Sequence, residues 1–334
     1  MERDKKLILR KAVKPYEKTI FNVSLIQICN TLIPYLLCVI IGMMLYQVSI
    51  IFSMVLGFVG AFFLVRSFII FHDCCHGSFF KKKSWNKILG NITGFLTLFP
   101  FEKWKNEHNI HHATSSNIDK KGVGDIWMMT IEEYEQASTW TRIGYRLYRH
   151  PFVMFVLGPI YLLLITNRIN RPSAKRKERI NTYLHNAALI IGYGTLIYFV
   201  GLPTFLAVFV PVMFIGGLLG IWLFYIQHTF EESYFEGQDE WDYVKAAVEG
   251  SSYYKLPRLF QWLTGNIGFH HVHHLSPRIP NYLLEKAHNE TEALQHATTI
   301  TLKESLASLR YKLYDTDKKR FITFREFYRR KHII

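Results

Sequence analysis

TIFNVSLIQICNTLIPYLLCVIIGMMLYQVSIIFSMVLGFVGAFFLV, Thr19 to Val65, runs for 47 residues without a charged side chain. As helix it extends roughly 70 Å, and a bilayer core is about 30 Å thick, so it is long enough to cross twice. It divides near Gln47 into helices at about 25–46 and 48–71. A second run, Ile180 to Phe230, is 51 residues long with only His185 and His228 titrating near neutrality. It divides at Gly201-Leu202-Pro203-Thr204 into 183–200 and 204–227. The rest of the chain is much more polar. The expectation is an all-α integral membrane protein with four transmembrane helices, interfacial helices and a cytosolic helical cap; six spans are the alternative.

Two shorter apolar stretches decide between four and six. Ile88 to Phe101 has a length that suits an interfacial helix rather than a crossing. Pro151 to Asn167 is interrupted by Gly158-Pro159 and basic on both flanks, which suits a re-entrant or interfacial segment. The chain then reads as one domain, 1–334, in six stretches. They are a basic N-terminus (1–18), a first hairpin (25–71), an interfacial region (72–179), a second hairpin (183–227), a cap (228–310) and a basic tail (311–334). The tail from Tyr311 reads as mobile. The charged first eighteen residues and the lack of a small-residue cleavage site argue against a signal peptide.

Forty Lys and Arg against 26 Asp and Glu give a formal charge of +14. Nucleic acid is not the inferred partner, because these cations flank the apolar runs. Lys11, Lys14 and Lys18 precede the first, Lys81, Lys82, Lys83 and Lys87 follow it, and Arg171, Lys175, Arg176, Lys177 and Arg179 precede the second. The hairpin turns carry no charge. The positive-inside rule therefore places both termini and the polar regions in the cytosol, at the plasma membrane. Cys29, Cys38, Cys74 and Cys75 form no disulfide framework, and thiols on a cytosolic face stay reduced.

Of 15 histidines, eight fall in three windows of five residues. His72 and His76 form H-x3-H. His108, His111 and His112, and again His270, His273 and His274, form H-x2-H-H. Residues three and four apart share a helix face, so each window aims its imidazoles at one region, while His271 is rotated away. Neutral imidazole is the commonest metal ligand. One ion takes about four protein ligands, so eight suit two ions. His228 ends the second apolar run and emerges on the same face, which makes it a ninth candidate. His185 and His150 sit beside basic stretches and read as headgroup-facing. Glu285 and His288 have the Glu-x-x-His spacing of soluble di-iron bundles, but it occurs once, so it reads as a surface helix.

These windows resemble the histidine boxes of the membrane fatty-acid desaturases. Phe71-His72-Asp73-Cys74-Cys75-His76, His111-His112-Ala113-Thr114-Ser115-Ser116, Gly124-Asp125-Ile126-Trp127 and Gly265-Asn266-Ile267-Gly268 are similar to bacterial acyl-lipid delta-5 members, over most of residues 20–315. Gln227-His228 is similar to the pair that follows this helix in related desaturases. The resemblance implies two non-haem iron ions, dioxygen as co-substrate, and insertion of a cis double bond into acyl chains of membrane phospholipids. It also implies electrons from ferredoxin or flavodoxin, and no fused donor motif is visible in the sequence. Asp73, Glu107, Asp125 and Asn266 are candidates to orient the ligands. Trp104, Trp222 and Trp262 are candidates to line an acyl slot. Hydroxylation on the same scaffold is the nearest alternative reading. A histidine-rich metal transporter is the more distant one, and it would place its ionisable groups within the spans.

Topology reporters test the four-span expectation. Fusions after Lys83, Lys121 and Lys175 should all report cytosol, and one near Leu202 the outside. An outside signal after Lys175 would turn 151–167 into a true span.

Overall fold

The computed structural model describes residues 2–331; Met1 and residues 332–334, the last of the basic tail, lie outside the described residues. After a short helix α1 (Glu2–Val13), the first apolar run forms α2 (Phe21–Leu45) and α3 (Ile50–His76). The Ser49 hydroxyl accepts from the Ile51 amide and so caps α3. At its other end α3 continues through the first histidine window. It stops only at Gly77, whose φ of 71° is the left-handed C-cap conformation that glycine adopts without strain. α4 (Lys83–Thr97) is the amphipathic helix expected near 88–101. α5 (Phe101–Thr114) starts after Pro100 and carries the second window.

The chain then makes β1 (Met129–Thr130), α6 (Ile131–Gln136), α7 (Thr139–Tyr148) and α8 (Gly158–Leu164). A π-helical turn at Val153–Leu157 precedes α8, and Thr139–Tyr148 and Val153–Arg168 are bent by 67°. The far end is tied back beside α5. The Lys103 ammonium donates to the carbonyls of Ile169 (2.7 Å) and Thr166, and the Arg168 guanidinium donates to Asn186 Oδ1 (2.9 Å) and to the Leu98 carbonyl. These bonds hold the end of 151–167 against the start of α5 and the middle of α9. The second apolar run forms α9 (Arg176–Val200) and α10 (Leu202–His228). Among the described residues four helices, α2, α3, α9 and α10, are each long and apolar enough to cross a membrane, and the bent pair would make a fifth if it is one span.

α3 is the central span and packs against both α2 and α10. A Cβ on Gly57 would stand 2.5 Å from the Val208 carbonyl oxygen, so α3 and α10 touch backbone to backbone at a point where only glycine fits. Ser53 donates to the Gly42 carbonyl at 2.7 Å and joins α3 to α2. Arg66, one residue beyond the charge-free run, is buried. Its Nε donates to Thr31 Oγ1 at 3.0 Å and its guanidinium lies 4.0 Å from the Trp262 ring. The intramembrane cation is therefore satisfied inside the protein.

Beyond α10 the cap consists of α11 (Tyr243–Val248), β2 (Tyr253–Lys255), α12 (Arg258–Leu263), α13 (His270–Leu275), α14 (Asn281–Glu290), β3 (Thr299–Thr301) and α15 (Leu302–Ser308). β2 and β3 pair in parallel, so the cap contains a strand pair that the helical expectation lacked. The tail corrects the sequence expectation more strongly. β4 (Leu313–Asp315) and β5 (Arg320–Ile322) form an antiparallel pair, β1 adds in parallel to β4, and α16 (Phe324–Lys331) closes the unit. Leu313, Tyr314, Phe321, Ile322 and Phe327 are buried. Tyr225 at the end of α10 donates to the Ser308 carbonyl at 2.7 Å, and Arg149 donates to that of Tyr311 at 2.9 Å. The tail's many cations suggested a solvated segment. Its aromatic residues instead fold it against α7 and the cap.

Phe321→Ala should destabilise the purified protein by about 3–5 kcal/mol, the usual cost of emptying a buried aromatic site. A thermal or denaturant melt reads this directly, and a mobile tail would show no change.

Candidate metal centre

Three structural elements bring the histidine windows together. α3 leaves the bilayer with His72 and His76 on its last turn. α5 lies across it with His108, His111 and His112. The six-residue α13 presents His270, His273 and His274 from the cap. α13 starts from a tight turn in which Asn266 has φ 56° and its carbonyl accepts from the Phe269 amide at 3.1 Å. All eight box histidines and His228 meet in one region, in two groups. His72, His76, His108, His112 and His273 form one; His111, His228, His270 and His274 form the other. Within each group one nitrogen per ring lies within 4.8 Å of every other.

The nitrogen contacts are those of rings that share a cation. His112 Nε2 faces His108 Nε2 at 3.0 Å and His273 Nε2 at 2.9 Å. In the second group His270 Nε2 faces His228 Nε2 at 3.0 Å. Two ligands about 2.1 Å from one ion, at roughly a right angle, stand ~3 Å apart. A single ring nitrogen has one proton or one lone pair, so His112 Nε2 can make a hydrogen bond to only one of its two neighbours. Further buried ring nitrogens lack any hydrogen-bond partner among the described residues, including His76 Nε2, His111 Nε2 and His274 Nε2. A bound cation in each group satisfies these atoms, and the donor set fits it.

Burial first, and then the neighbouring imidazoles, push His108, His112, His270, His273 and His274 well below the usual histidine pKa. They are neutral at physiological pH, the form that binds metal. Several are fixed from behind. His111 Nδ1 contacts Asp125 Oδ1 at 2.5 Å, which leaves Nε2 facing inward. Burial alone would raise the Asp125 pKa, but the His111 bond and charge and the Gly122 amide outweigh it and hold it below the usual value. His228 Nδ1 lies 3.2 Å from the Gly250 carbonyl, so this nitrogen carries the proton and Nε2 is bare. Trp104 stacks on His108 with ring centroids 4.1 Å apart.

Other candidates act differently from the sequence reading. Asp73 touches His72 Nδ1 only at 3.3 Å, while its other oxygen accepts from Asn281 N (2.7 Å) and Nδ2 (2.8 Å). Gln27 Nε2 in turn donates to Asn281 Oδ1 at 2.8 Å. This buried chain links α2, α3 and the start of α14, and neither Gln27 nor Asn281 carries a motif that would have singled it out. Asn266 is a turn residue that does not reach the histidines; its Nδ2 donates to the Asn281 carbonyl at 3.3 Å. Glu107 pairs with Arg171 Nε at 3.1 Å rather than with an imidazole. Trp222 donates to Tyr254 and packs on Phe155, and Trp262 covers Arg66; neither makes a ring contact with a box histidine. His271 is turned away from both groups, as expected, and its Nε2 meets His288 Nδ1 at 3.0 Å. His288 is thus buried against α13 rather than on a surface helix. His185, expected to face headgroups, is buried in α9.

Removing one ligand should cost the purified protein part of its metal. His228→Ala is expected to lower metal content, measured by elemental analysis, whereas His271→Ala keeps the metal and lowers only the thermal midpoint. Asp125→Asn should weaken metal binding by roughly 10–100-fold, the usual effect of losing the partner behind a ligand histidine. Full metal in His228→Ala would remove that residue from the site.

Residues 48–303 match the family model for fatty acid desaturases. The chain is 55% identical over 325 residues to a fatty acid desaturase of Bacillus subtilis, covering 97% of this chain and 92% of the relative. It is 28% identical over 230 residues to an sn-1 oleoyl-lipid 12-desaturase of Synechocystis, covering 67% of this chain and 64% of that one. A chloroplastic omega-6 fatty acid desaturase of Brassica napus is 27% identical over 245 residues, covering 67% of this chain and 50% of the relative. With two buried histidine groups on a helical scaffold that has four helices able to cross a membrane, the chain belongs to the fatty acid desaturase family and is an oxidoreductase acting on acyl lipids.

Proposed function

We propose that this protein inserts a cis double bond at the delta-5 position of acyl chains carried on membrane phospholipids, using two non-haem irons and dioxygen. The observation that carries the reading is the pair of adjacent, buried, cation-seeking imidazole groups on a desaturase scaffold. His72, His76, His108, His112 and His273 would hold one iron; His111, His228, His270 and His274 would hold the other. Iron with dioxygen supplies the hydrogen removal from unactivated methylenes that no side-chain acid or base achieves. The balance is CH2–CH2 + O2 + 2 electrons + 2 protons giving CH=CH + 2 H2O.

The chain's own residues set the geometry of this step. Asp125 and the Gly250 carbonyl fix the tautomers of His111 and His228. Asp73, held by Asn281, keeps the end of α3 against the cap. Trp104 and Phe71 pack beside the first group and exclude water from it. Ferredoxin or flavodoxin supplies the electrons from outside, on a cytosolic face at the plasma membrane that also holds both termini. Delta-5 selectivity rests on the resemblance of the box regions to acyl-lipid delta-5 members. The Synechocystis relative, an oleoyl-lipid desaturase, favours lipid-bound chains over free acids.

Expression in a host that lacks unsaturated lipids tests the whole reading by mass spectrometry of the extracted lipids. A loss of two hydrogens at carbon five of the acyl chain is expected. A gain of one oxygen would make the protein a hydroxylase, and a double bond at another carbon would keep the desaturase and remove the delta-5 assignment.

A further inference from the structure

An open groove of about 440 Å³ lies away from the histidines where α4, α5 and α9 meet. Its lining combines the cations Lys87, Arg176 and Lys177 with Glu102 and Asn181 and with the apolar Ile180 and Leu184. Lys177 Nζ pairs with Glu102 at 2.9 Å. Lys87 and Arg176 make no ion pair or side-chain hydrogen bond among the described residues, so two of the three cations are uncompensated. The walls are held firmly. Asn181 Oδ1 accepts from the Glu102 amide at 2.9 Å and its Nδ2 donates to Asn91 Oδ1 at 2.9 Å, which stitches α9 to both α5 and α4. Ile180 and Leu184 are 48% and 66% exposed, one helical turn apart on the lipid-facing side of a span.

We propose that this groove binds a membrane phospholipid, with the anionic phosphate between Lys87 and Arg176 and one acyl chain along Ile180 and Leu184. Cations that only signal topology need no shared groove and no adjoining apolar wall; a phospholipid uses both. The first turn of α9, a 25-residue helix, adds its N-terminal partial positive charge to that of these cations. The bound lipid is not the substrate. Glu102 and His108 are six residues apart on α5, about 240° of rotation, so the groove and the first histidine group lie on different faces of that helix. A lipid held here braces the start of the helix that carries the second histidine window. The inference requires only that α9 spans the membrane, not that the histidines bind iron.

The test uses the full chain, purified in detergent, washed free of lipid and titrated with phosphatidylglycerol, with phosphorus counted per chain. Wild type should retain about one lipid per chain, and an equal concentration of inorganic phosphate should not displace it. Loss of two cations in Lys87→Gln/Arg176→Gln should weaken retention roughly 30-fold, at about a tenfold change per 1.4 kcal/mol and about 1 kcal/mol per cation. The charge-preserving Lys87→Arg/Arg176→Lys should retain it. Lys14→Gln/Lys81→Gln removes two cations of the same collar that do not line the groove, and should bind as wild type does. Equal loss in both glutamine variants would overturn the proposal in favour of a diffuse basic collar. Displacement by inorganic phosphate would overturn it in favour of a free-anion site. Metal content separates the two readings: a Lys87→Gln/Arg176→Gln protein that loses lipid but keeps its metal leaves the centre intact.

Discussion

Nine imidazoles converge in the interior with more ring nitrogens than hydrogen bonds can satisfy. Contacts of 2.9–3.0 Å join ring nitrogens to ring nitrogens, and two of them meet at His112 Nε2, which has one proton or one lone pair for both. Unpaired buried polar atoms cost about 1–3 kcal/mol each, and the cluster contains several. Such an arrangement persists only if the surrounding structure holds it, or if a cation turns repulsion into ligation. Much of the architecture reads as the means of holding it.

Each histidine-bearing element is anchored independently of the others. α3 is gripped by α2 and α10 through close backbone contact at Gly57 and the Ser53–Gly42 bond. α5 is fixed at its start by Asn181 and along its length by Lys103, which donates to the Ile169 carbonyl beyond α8. α13 is short and has little stability of its own. It is held from behind by the His271–His288 contact and by Tyr243, which donates to the His274 carbonyl at 2.7 Å. The buried Gln27–Asn281–Asp73 chain then locks the cap to the first two spans. Through these contacts the membrane helices, which carry only three of the nine histidines, set the position of the other six.

The tail and the cap show where local patterns mislead. Residues 311–331 are rich in Lys and Arg, and composition alone suggested a solvated segment. Yet Tyr314, Phe321 and Ile322 are almost wholly buried, because strand pairing with Met129–Thr130 gives the aromatic face a surface to cover. That surface comes from a part of the chain some 180 residues earlier, which no window of sequence contains. Gln27 and Asn281 were missed for the same reason: each is an ordinary polar residue until the other and Asp73 are placed beside it.

Sequence by itself determined what depends on neighbours along the chain. Uninterrupted apolar length marked four spans, and the Gly-Pro break in 151–167 marked a stretch that bends rather than runs straight. Three- and four-residue spacing named the eight box histidines and turned His271 away from them, and a position at the end of a span added His228. Only the tertiary structure decided how the nine divide. His111 and His112 are adjacent yet fall in different groups, and His273 joins the first group while His270 and His274 join the second. Successive helical residues point about 100° apart, so the second and third windows straddle the boundary between the groups, while His72 and His76, one turn apart on α3, both fall in the first. Which side a ring takes depends on the crossing angles of α3, α5 and α13, and those are set by packing among distant segments.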